Sequence, residues 1–283
     1  MVSIIIPIFN KSEYIKQTIE SIKKQSCNNW ECLIIDDFSS DNSVEVVEYL
    51  VKGNNQFKLF KNSENKGANF CRNIGVNKSK GDCIIFLDAD DVLVDNCISS
   101  RLEILVKNKE LDFGVFPVGT FYNKIGDSNY VWNDFKGNHV DRFLCHDLSW
   151  LICSVMWRKK SIVKSYGFCE EFQKMQDVEF HTRHLVQHNS KYETFSNSKA
   201  DCFYRINSKR IINGFDFCIK DISSKILFVN KFNSLLKKYN PKKIRLLTGT
   251  VFECLNLIFN FHKKGLINKQ ELEKLLLFFS NND

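Results

Sequence analysis

Short, dense apolar runs fill the first third of the chain, and a stretch with helical spacing follows each one. Val2 to Ile8 is a β-branched run of strand length. Ser12 then stands where an N-cap is expected, with Ile15, Ile19 and Ile22 on one helix face behind it. Trp30 to Ile35 is a second strand ending in Asp36-Asp37. Asp41 is placed to cap a helix carrying Val44, Val47 and Val51. Phe57 to Phe60 is a third, shorter strand. A helix with Ala68, Cys71, Ile74 and Gly75 inward leads to the break at Gly81, and Cys83 to Leu87 is the fourth strand. This βαβαβαβ succession predicts an α/β fold, a mostly parallel sheet flanked by helices.

The polar residues fall where such a sheet binds ligands. Asn10 follows the first strand, Asp36 and Asp37 the second, Asn65 and Lys66 the third, Asp88 and Asp90 the fourth. In open parallel sheets the crevice lies outside the carboxyl ends of the strands, so these residues share one edge. Asp88-Ala89-Asp90-Asp91 is the sharpest feature. Carboxylates packed so closely repel unless a cation sits among them, and oxygen ligands suit hard divalent ions. Taken alone, the same residues also fit a solvated acidic turn before a helix.

Composition narrows the setting. At 283 residues and 43% hydrophobic, the chain is large enough for one big core or a main domain with an appendage. No run approaches ~18 consecutive apolar residues. Val2-Ser3-Ile4 opens without a basic segment and cleavable apolar stretch, so no secretory signal is expected. The eleven cysteines show no Cys-x-x-Cys pair and read as reduced thiols of a cytoplasmic protein.

Four segments in order resemble the motifs of glycosyltransferase family 2: Val2 to Asn10, Ile34 to Asp41, Asn65 to Asn73 and Gly81 to Asp91. The resemblance is close over residues 1 to about 118 and looser to about 210. It implies a GT-A type, Rossmann-like fold, a nucleotide-sugar donor (most readily a UDP-sugar), Mn2+ or Mg2+, and inversion at the anomeric carbon. Carried onto this chain, the resemblance gives Asp90 as metal ligand and Asp88 as partner of the ribose or of a metal-bound water. Asp37 accepts the N3–H of uracil, and Pro7 and Phe9 wall the base pocket. Asn10, Asn65, Lys66, Gly67 and Ala89 complete the donor site, and Arg72 faces the diphosphate. Tyr166 to Phe172 and Gln176-Asp177-Val178-Glu179 resemble the family's later acidic segments, in which the second acid of a Glu-Asp pair is the general base. That residue is Asp177 here; Gln176 and Cys169 replace acids. An N-cap is the structural alternative for Asp177, with Glu179 and Glu171 as the next candidate bases. Asn207 stands where many relatives carry a histidine after Tyr204-Arg205. His181, His184 and His188 are expected on a partly exposed helix face.

The tail differs in charge. Residues 209–283 hold 14 Lys and Arg against 6 Asp and Glu, a net of +8, and the remainder is close to neutral at −1. Helical patterns run over Ile226 to Leu236, Ile244 to Phe261 and, after an Asn268–Glu271 capping box, through Phe279. The expected organisation is a GT-A domain over 1–210, with a nucleotide-sugar half (1–118) and an acceptor half (119–210). A basic helical region over 211–283 follows. Its surface suits packing on the core, a homodimer contact, or the anionic inner face of a membrane, where a lipid-linked or glycan acceptor of surface polysaccharide synthesis would be met. No nucleic-acid partner is expected. The rival enzymatic reading is a haloacid-dehalogenase-type phosphatase, which needs the Asp-x-Asp motif on the first strand. The non-catalytic rivals are an inactive sugar-nucleotide-binding module and a calcium module, whose EF-hand loop would demand Gly where Leu93 stands.

Overall fold

A computed structural model describes residues 1–132, 134–206 and 214–280, with side chains to 277 in the last stretch. In chain order the elements are β1 (Val2–Ile8), α1 (Ile15–Lys23), β2 (Trp30–Asp36), α2 (Ser43–Val51), β3 (Phe57–Lys61), α3 (Ala68–Lys78), β4 (Cys83–Phe86) and β5 (Val92–Leu93). Then come α4 (Cys97–Lys107), β6 (Phe113–Val115), β7 (Val118–Phe121), β8 (Val131–Trp132), α5 (His139–Leu144), β9 (Val155–Arg158) and α6 (Lys159–Lys164). The chain continues through α7 (Gln176–Val186), β10 (Tyr192–Thr194), β11 (Cys202–Arg205), α8 (Gly214–Tyr239), α9 (Leu247–Lys263) and α10 (Lys269–Ser280). They form two compact units. The first is Met1–Phe135, Trp150–Phe168 and Ser190–Ser208; the second is Lys136–Ser149, Cys169–Asn189 and Lys209–Asp283.

The first unit is built on a seven-stranded sheet in the order β10-β6-β9-β4-β1-β2-β3. As the pattern predicts, β3, β2, β1 and β4 run parallel, with Ile4 beside Cys32 on one side and Ile85 on the other. The β9 strand breaks the parallel run, pairing antiparallel with both β4 and β6. Alternation sends Ile4, Ile6 and Ile8 into a core closed by Ile15, Ile19, Ile22 and Val47 from α1 and α2. Each such aliphatic side chain, fully buried, contributes about 1.5–3 kcal/mol. Ile5 and Phe86 face the other layer. There α3 approaches so closely that a Cβ at Gly75 would lie 2.3 Å from Ile5 Cγ2, and Phe86 meets Phe168 edge-on at 4.9 Å.

A second sheet, β5-β11-β7-β8, stands at the end of the Asp-x-Asp segment. It is tied to α4 by a buried ion pair in which Arg101 Nε and Nη2 reach Asp201 at 2.9 and 2.5 Å. Arg101 Nη1 adds a bond to Cys153 O at 2.8 Å.

The second unit is helical. Cys218 and Ile222 of α8, Cys254, Ile258 and Phe261 of α9, Ile267 and Leu275 form its core. Asn268 and Glu271 exchange the two expected bonds at 2.8 and 2.9 Å, so the capping box starts α10. Gly249, which the pattern puts on the open side of α9, meets backbone instead. A Cβ there would lie 2.9 Å from Cys145 Cα. Pro241–Lys263 is long and apolar enough by composition to cross a membrane (mean hydropathy 1.2). Its first turns, Pro241–Leu246, are 3-10, leaving 17 α-helical residues. At 1.5 Å per residue these cover roughly 25 Å, and the 3-10 turns at ~2 Å per residue add about 12 Å, so the span as a whole matches a ~30 Å hydrocarbon core in length.

Two of the expected caps differ. Helix α1 starts at Ile15 behind a turn, with Tyr14 and not Ser12 at the cap position. Asn42 and not Asp41 holds the cap position of α2, although Asp41 Oδ1 accepts the N–H of Ser43 at 3.0 Å and its Oδ2 that of Ser12 at 3.1 Å.

Candidate functional site

The carboxyl ends of β1 to β4 gather four sets of side chains in the first unit. After β1, Asn10 sits at φ 52°. Its Oδ1 accepts the N–H of Ser40 at 2.8 Å and of Asp41 at 3.3 Å, so this side chain stitches the β1 end to the loop after β2. Pro7 pairs with Ile35 in the sheet, and Phe9 is 46% exposed, an aromatic face open beside the edge. A second exposed aromatic was not singled out by the pattern. Phe38 follows Asp37 directly, is 57% exposed and holds φ 66°, a conformation that bulky side chains adopt rarely.

After β2, Asp36 turns inward and its Oδ2 accepts the N–H of Ser39 at 3.2 Å, closing the turn. Asp37 is buried and organises the loop before α3. Its Oδ1 accepts from Asn62 Nδ2 at 3.0 Å and from the Lys66 N–H at 2.9 Å, and its Oδ2 accepts from the Gly67 N–H at 2.7 Å. Asn65 Nδ2 reaches the Asp37 carbonyl at 3.1 Å. Gly67, at φ 88°, fills the cap position of α3, where a side chain would be strained. The neighbouring Cys71 thiol is pushed up to about 12, first by burial and then by the Asp37 charge. Lys66 turns its ammonium to Glu64 at 3.0 Å.

Arg72, on the first turns of α3, is buried and not a solvated helical arginine. Its Nη2 donates to Asp88 Oδ1 at 2.9 Å, and its guanidinium lies 5.4 Å from the Phe168 ring centre.

The segment after β4 is held from below. Thr18 Oγ1 of α1 donates to the carbonyls of Ala89 and Asp91 at 3.0 and 2.8 Å, while Ala89 itself is buried. Asp91 lies inside the protein. Burial, then the Asp88 charge, raises its carboxyl well above the usual range, although the Arg205 N–H donates to its Oδ1 at 3.0 Å. Arg205 is a residue that the motif reading did not weigh. Its Nε donates to the Asp90 carbonyl at 3.0 Å and its Nη1 to the Tyr122 carbonyl at 2.8 Å. It is sandwiched 4.3 and 5.0 Å from the ring centres of Phe121 and Tyr14. Asn207, two residues on, lies outside the described residues. Asp90 extends its side chain, which is 17% exposed, to an ion pair with Lys11.

Among the described residues no three His, Cys, Asp or Glu side chains converge as a metal cage. The donors present are carboxylates, and two protein cations, Lys11 and Arg72, stand on them. That donor set fits a hard ion held by one or two carboxylates with the remaining ligands from phosphate and water.

Asp177 belongs to the second unit. Helix α7 begins at Gln176 with Met175 at the cap position in the left-handed region, φ 55°, so Asp177 sits in the first turn and is not the cap. The Val178 N–H donates to its Oδ1 at 3.0 Å. Glu179, the fallback base, is fully buried between Arg183 (2.6 Å) and Lys231 (2.7 Å) and has no access to a substrate proton. The histidine stripe differs from expectation in two of its three members, His188 being half-buried as expected. His181 and His184 are completely buried, packed on Phe143 and Phe180, because this face of α7 meets α5. Burial, then the charge of Arg183, pulls His184 down to about 2.

The mostly parallel sheet with helices on its faces is the GT-A architecture, and the turn at its carboxyl edge carries Asp88, Asp90 and Asp91. The chain belongs to glycosyl transferase family 2, whose family model matches residues 3–167. A Haemophilus influenzae relative described as an uncharacterized glycosyltransferase is 32% identical over 140 residues, 50% of this chain and 51% of that protein. The Escherichia coli UDP-Glc:alpha-D-GlcNAc-diphosphoundecaprenol beta-1,3-glucosyltransferase WfgD is 38% identical over 109 residues, 38% of this chain and 42% of that one. These matches span about half the length of the curated relatives or less. S. aureus TarS 1-349, solved in complex with UDP-GlcNAc, shares the fold with a TM-score of 0.70 at 18% identity, over 99% of this chain and 81% of that one.

Proposed function

We propose that this glycosyltransferase moves a sugar from a UDP-sugar to a hydroxyl of a lipid-linked or glycan acceptor in surface polysaccharide synthesis, with inversion and with Mn2+ or Mg2+ at Asp90. The observation that carries the reading is the composition of one edge. The ends of three neighbouring parallel strands, β1, β2 and β4, bring Asn10, Asp37, Asp88 and Asp90 to the same edge of the sheet, with Arg72 on Asp88. The UDP-Glc donor and diphosphoundecaprenol acceptor named for the E. coli relative support the substrate classes.

In this reading the donor half is residues 1–118. Phe9 and Pro7 wall the base, and Asp37 offers its remaining acceptor position to the ring N–H. Asn65, Lys66 and Gly67 hold the loop that Asp37 organises, and Ala89 keeps the Asp-x-Asp turn tight. Asp88 serves the ribose side, and Arg72 offsets phosphate charge. Asp90 would ligate the metal, and Asp88 is within the same turn; the ion when bound neutralises charge on the leaving diphosphate. The acceptor hydroxyl oxygen attacks the anomeric carbon as the bond to the diphosphate oxygen breaks. Asp177 takes the hydroxyl proton, and a single displacement inverts the centre. The basic helices of 211–283 would work on the anionic inner face of the membrane; a homodimer through them is the other use of the same surface.

The test is UDP release from a panel of UDP-sugars, with and without Mn2+, for the wild type and two variants. Asp90→Ala should bind UDP without any gain from Mn2+. Asp177→Asn should lower transfer by ~10²–10⁴ while UDP-sugar affinity stays within a few-fold. Undiminished Mn2+ dependence in the first variant removes Asp90 as ligand. Transfer within a few-fold of wild type in the second removes Asp177 from the chemistry.

A further inference from the structure

Asp88, Asp90 and the buried Asp91 lie within four residues, and the protein supplies its own cations to the first two. Arg72 stands on Asp88 and Lys11 on Asp90. The two pairs differ in how firmly they are held. Arg72 is buried, with a second bond to Asn69 Oδ1 at 3.2 Å. Lys11 is anchored at its backbone, while its side chain is less buried than that of Arg72. Its N–H donates to Ser43 Oγ at 2.7 Å, and its carbonyl accepts from Tyr14 and Ile15 at 3.0 Å each. Its side chain, 31% exposed, passes over the Tyr14 ring at 5.7 Å from the centre to reach Asp90 Oδ2. The turn around Lys11 therefore aims one partly exposed lysine side chain at one carboxylate 79 residues away in sequence.

We propose that Lys11 is the resident counter-cation of Asp90, which a divalent ion must displace when donor binds. The inference rests on Asp90 as the metal ligand. An ammonium and a metal compete for the same carboxylate, so the ion alone binds weakly. A donor diphosphate changes the balance twice. It adds oxygen ligands for the ion, and it offers the displaced ammonium a new anionic partner. Metal and nucleotide then bind with positive coupling, which linkage makes reciprocal. Arg72, buried and doubly bonded, keeps its place on Asp88.

The experiment is Mn2+ titration of the full chain by calorimetry and electron paramagnetic resonance, first with no nucleotide and then with saturating UDP. Lys11→Met keeps the length of the side chain and its cover over Tyr14 but has no charge. A partly exposed pair of this kind holds its partner modestly, so the variant should bind Mn2+ alone about three- to tenfold more tightly. The gain in Mn2+ affinity on adding UDP should shrink by a similar factor. Lys11→Arg should behave as wild type. Asp90→Asn should lose Mn2+ binding in both conditions. If Asp90→Asn loses the metal while Lys11→Met binds it no better than wild type, the counter-cation assignment is overturned and the metal site stands. If Asp90→Asn binds Mn2+ as wild type does, the metal site itself is wrong and the inference falls with it.

Discussion

Replacing Asp37 with Asn tests how much of the donor loop hangs on one carboxylate. Three N–H groups point at it: Asn62 and Lys66 on Oδ1, Gly67 on Oδ2. An ionised carboxylate only accepts, and it can serve all three. A carboxamide has one accepting oxygen and one NH2. With the oxygen kept at the Oδ1 position, the NH2 confronts the Gly67 N–H. In the flipped orientation it confronts Asn62 and Lys66. The better arrangement leaves one half-buried donor unpaired, at most about 1–3 kcal/mol, and turns two charge-assisted bonds into ordinary ones. The sum is a loss of about 2–4 kcal/mol, concentrated at Gly67, the cap of α3. For a chain of this size 1 kcal/mol moves Tm by about 2–4 °C. Thermal unfolding should therefore shift down by about 5–15 °C, and amide exchange of Lys66 and Gly67 should accelerate. A Tm within a degree of wild type, with both amides still protected, would refute the reasoning and show that the loop is held by other contacts.

Two further outcomes follow from particular groups. Glu31 is buried; burial works to raise its pKa, but bonds from Lys58 (2.6 Å), the Lys80 N–H and Ser3 (2.8 Å) outweigh it and hold the carboxyl below its ordinary value. A depressed folded pKa stabilises above the unfolded value of about 4.5, and the benefit disappears as pH falls through the folded pKa. Glu31→Gln should thus lower stability at pH 7 by about 1–3 kcal/mol and flatten the loss on acidification in urea titrations; an unchanged acid limb would count against it. For the membrane reading, Phe252 and Phe259 lie one above the other on the exposed side of α9, at 62% and 52% exposure. Phe252→Ser with Phe259→Ser, or Lys237, Lys238 and Lys242 to Glu, should release the protein from anionic vesicles at low salt, each lysine contributing about 1 kcal/mol. Lys243 is left out because Asp141 already holds it. Wild-type protein that ignores such vesicles would end this reading.

The parts legible in the sequence are those with a local signature. A buried parallel strand is a dense apolar run, and its polar end marks the ligand edge, so β1 to β4 and the polar residues that follow them could be found from the pattern, whereas Pro7, Phe9, Arg72 and Asp177 were picked out only by the resemblance to glycosyltransferase family 2. The capping box of α10 was equally local, since its two partners lie three residues apart. The elements that escaped are non-local. Nothing in Val155–Arg158 says that the strand will enter between β4 and β6, antiparallel to both. The histidine stripe of α7 reads as polar, yet its burial is decided by α5, a short helix from a different stretch of the chain. Glu179 looks like an accessible acid until Lys231 arrives from α8.

Charge is the sharpest case of that limit. Three aspartates in four residues require compensation, and this requirement is readable from the motif itself. Its solution is not. One compensating cation follows β1 and another sits on α3, 79 and 16 residues from their partners, in segments that look like ordinary loop and helix surface. Ion pairing leaves no period in a sequence, because a lysine satisfies a carboxylate from any direction. The fold decides it by where the strands end. All four strand ends point the same way, so a lysine after β1 and an aspartate after β4 become neighbours through the direct pairing of those two strands. The same parallel order that makes the edge legible as a ligand site thereby makes the edge partly self-neutralised. On the proposed metal site, a dication would meet a carboxylate already paired with Lys11, and its affinity would measure a difference between two cations, not the strength of one.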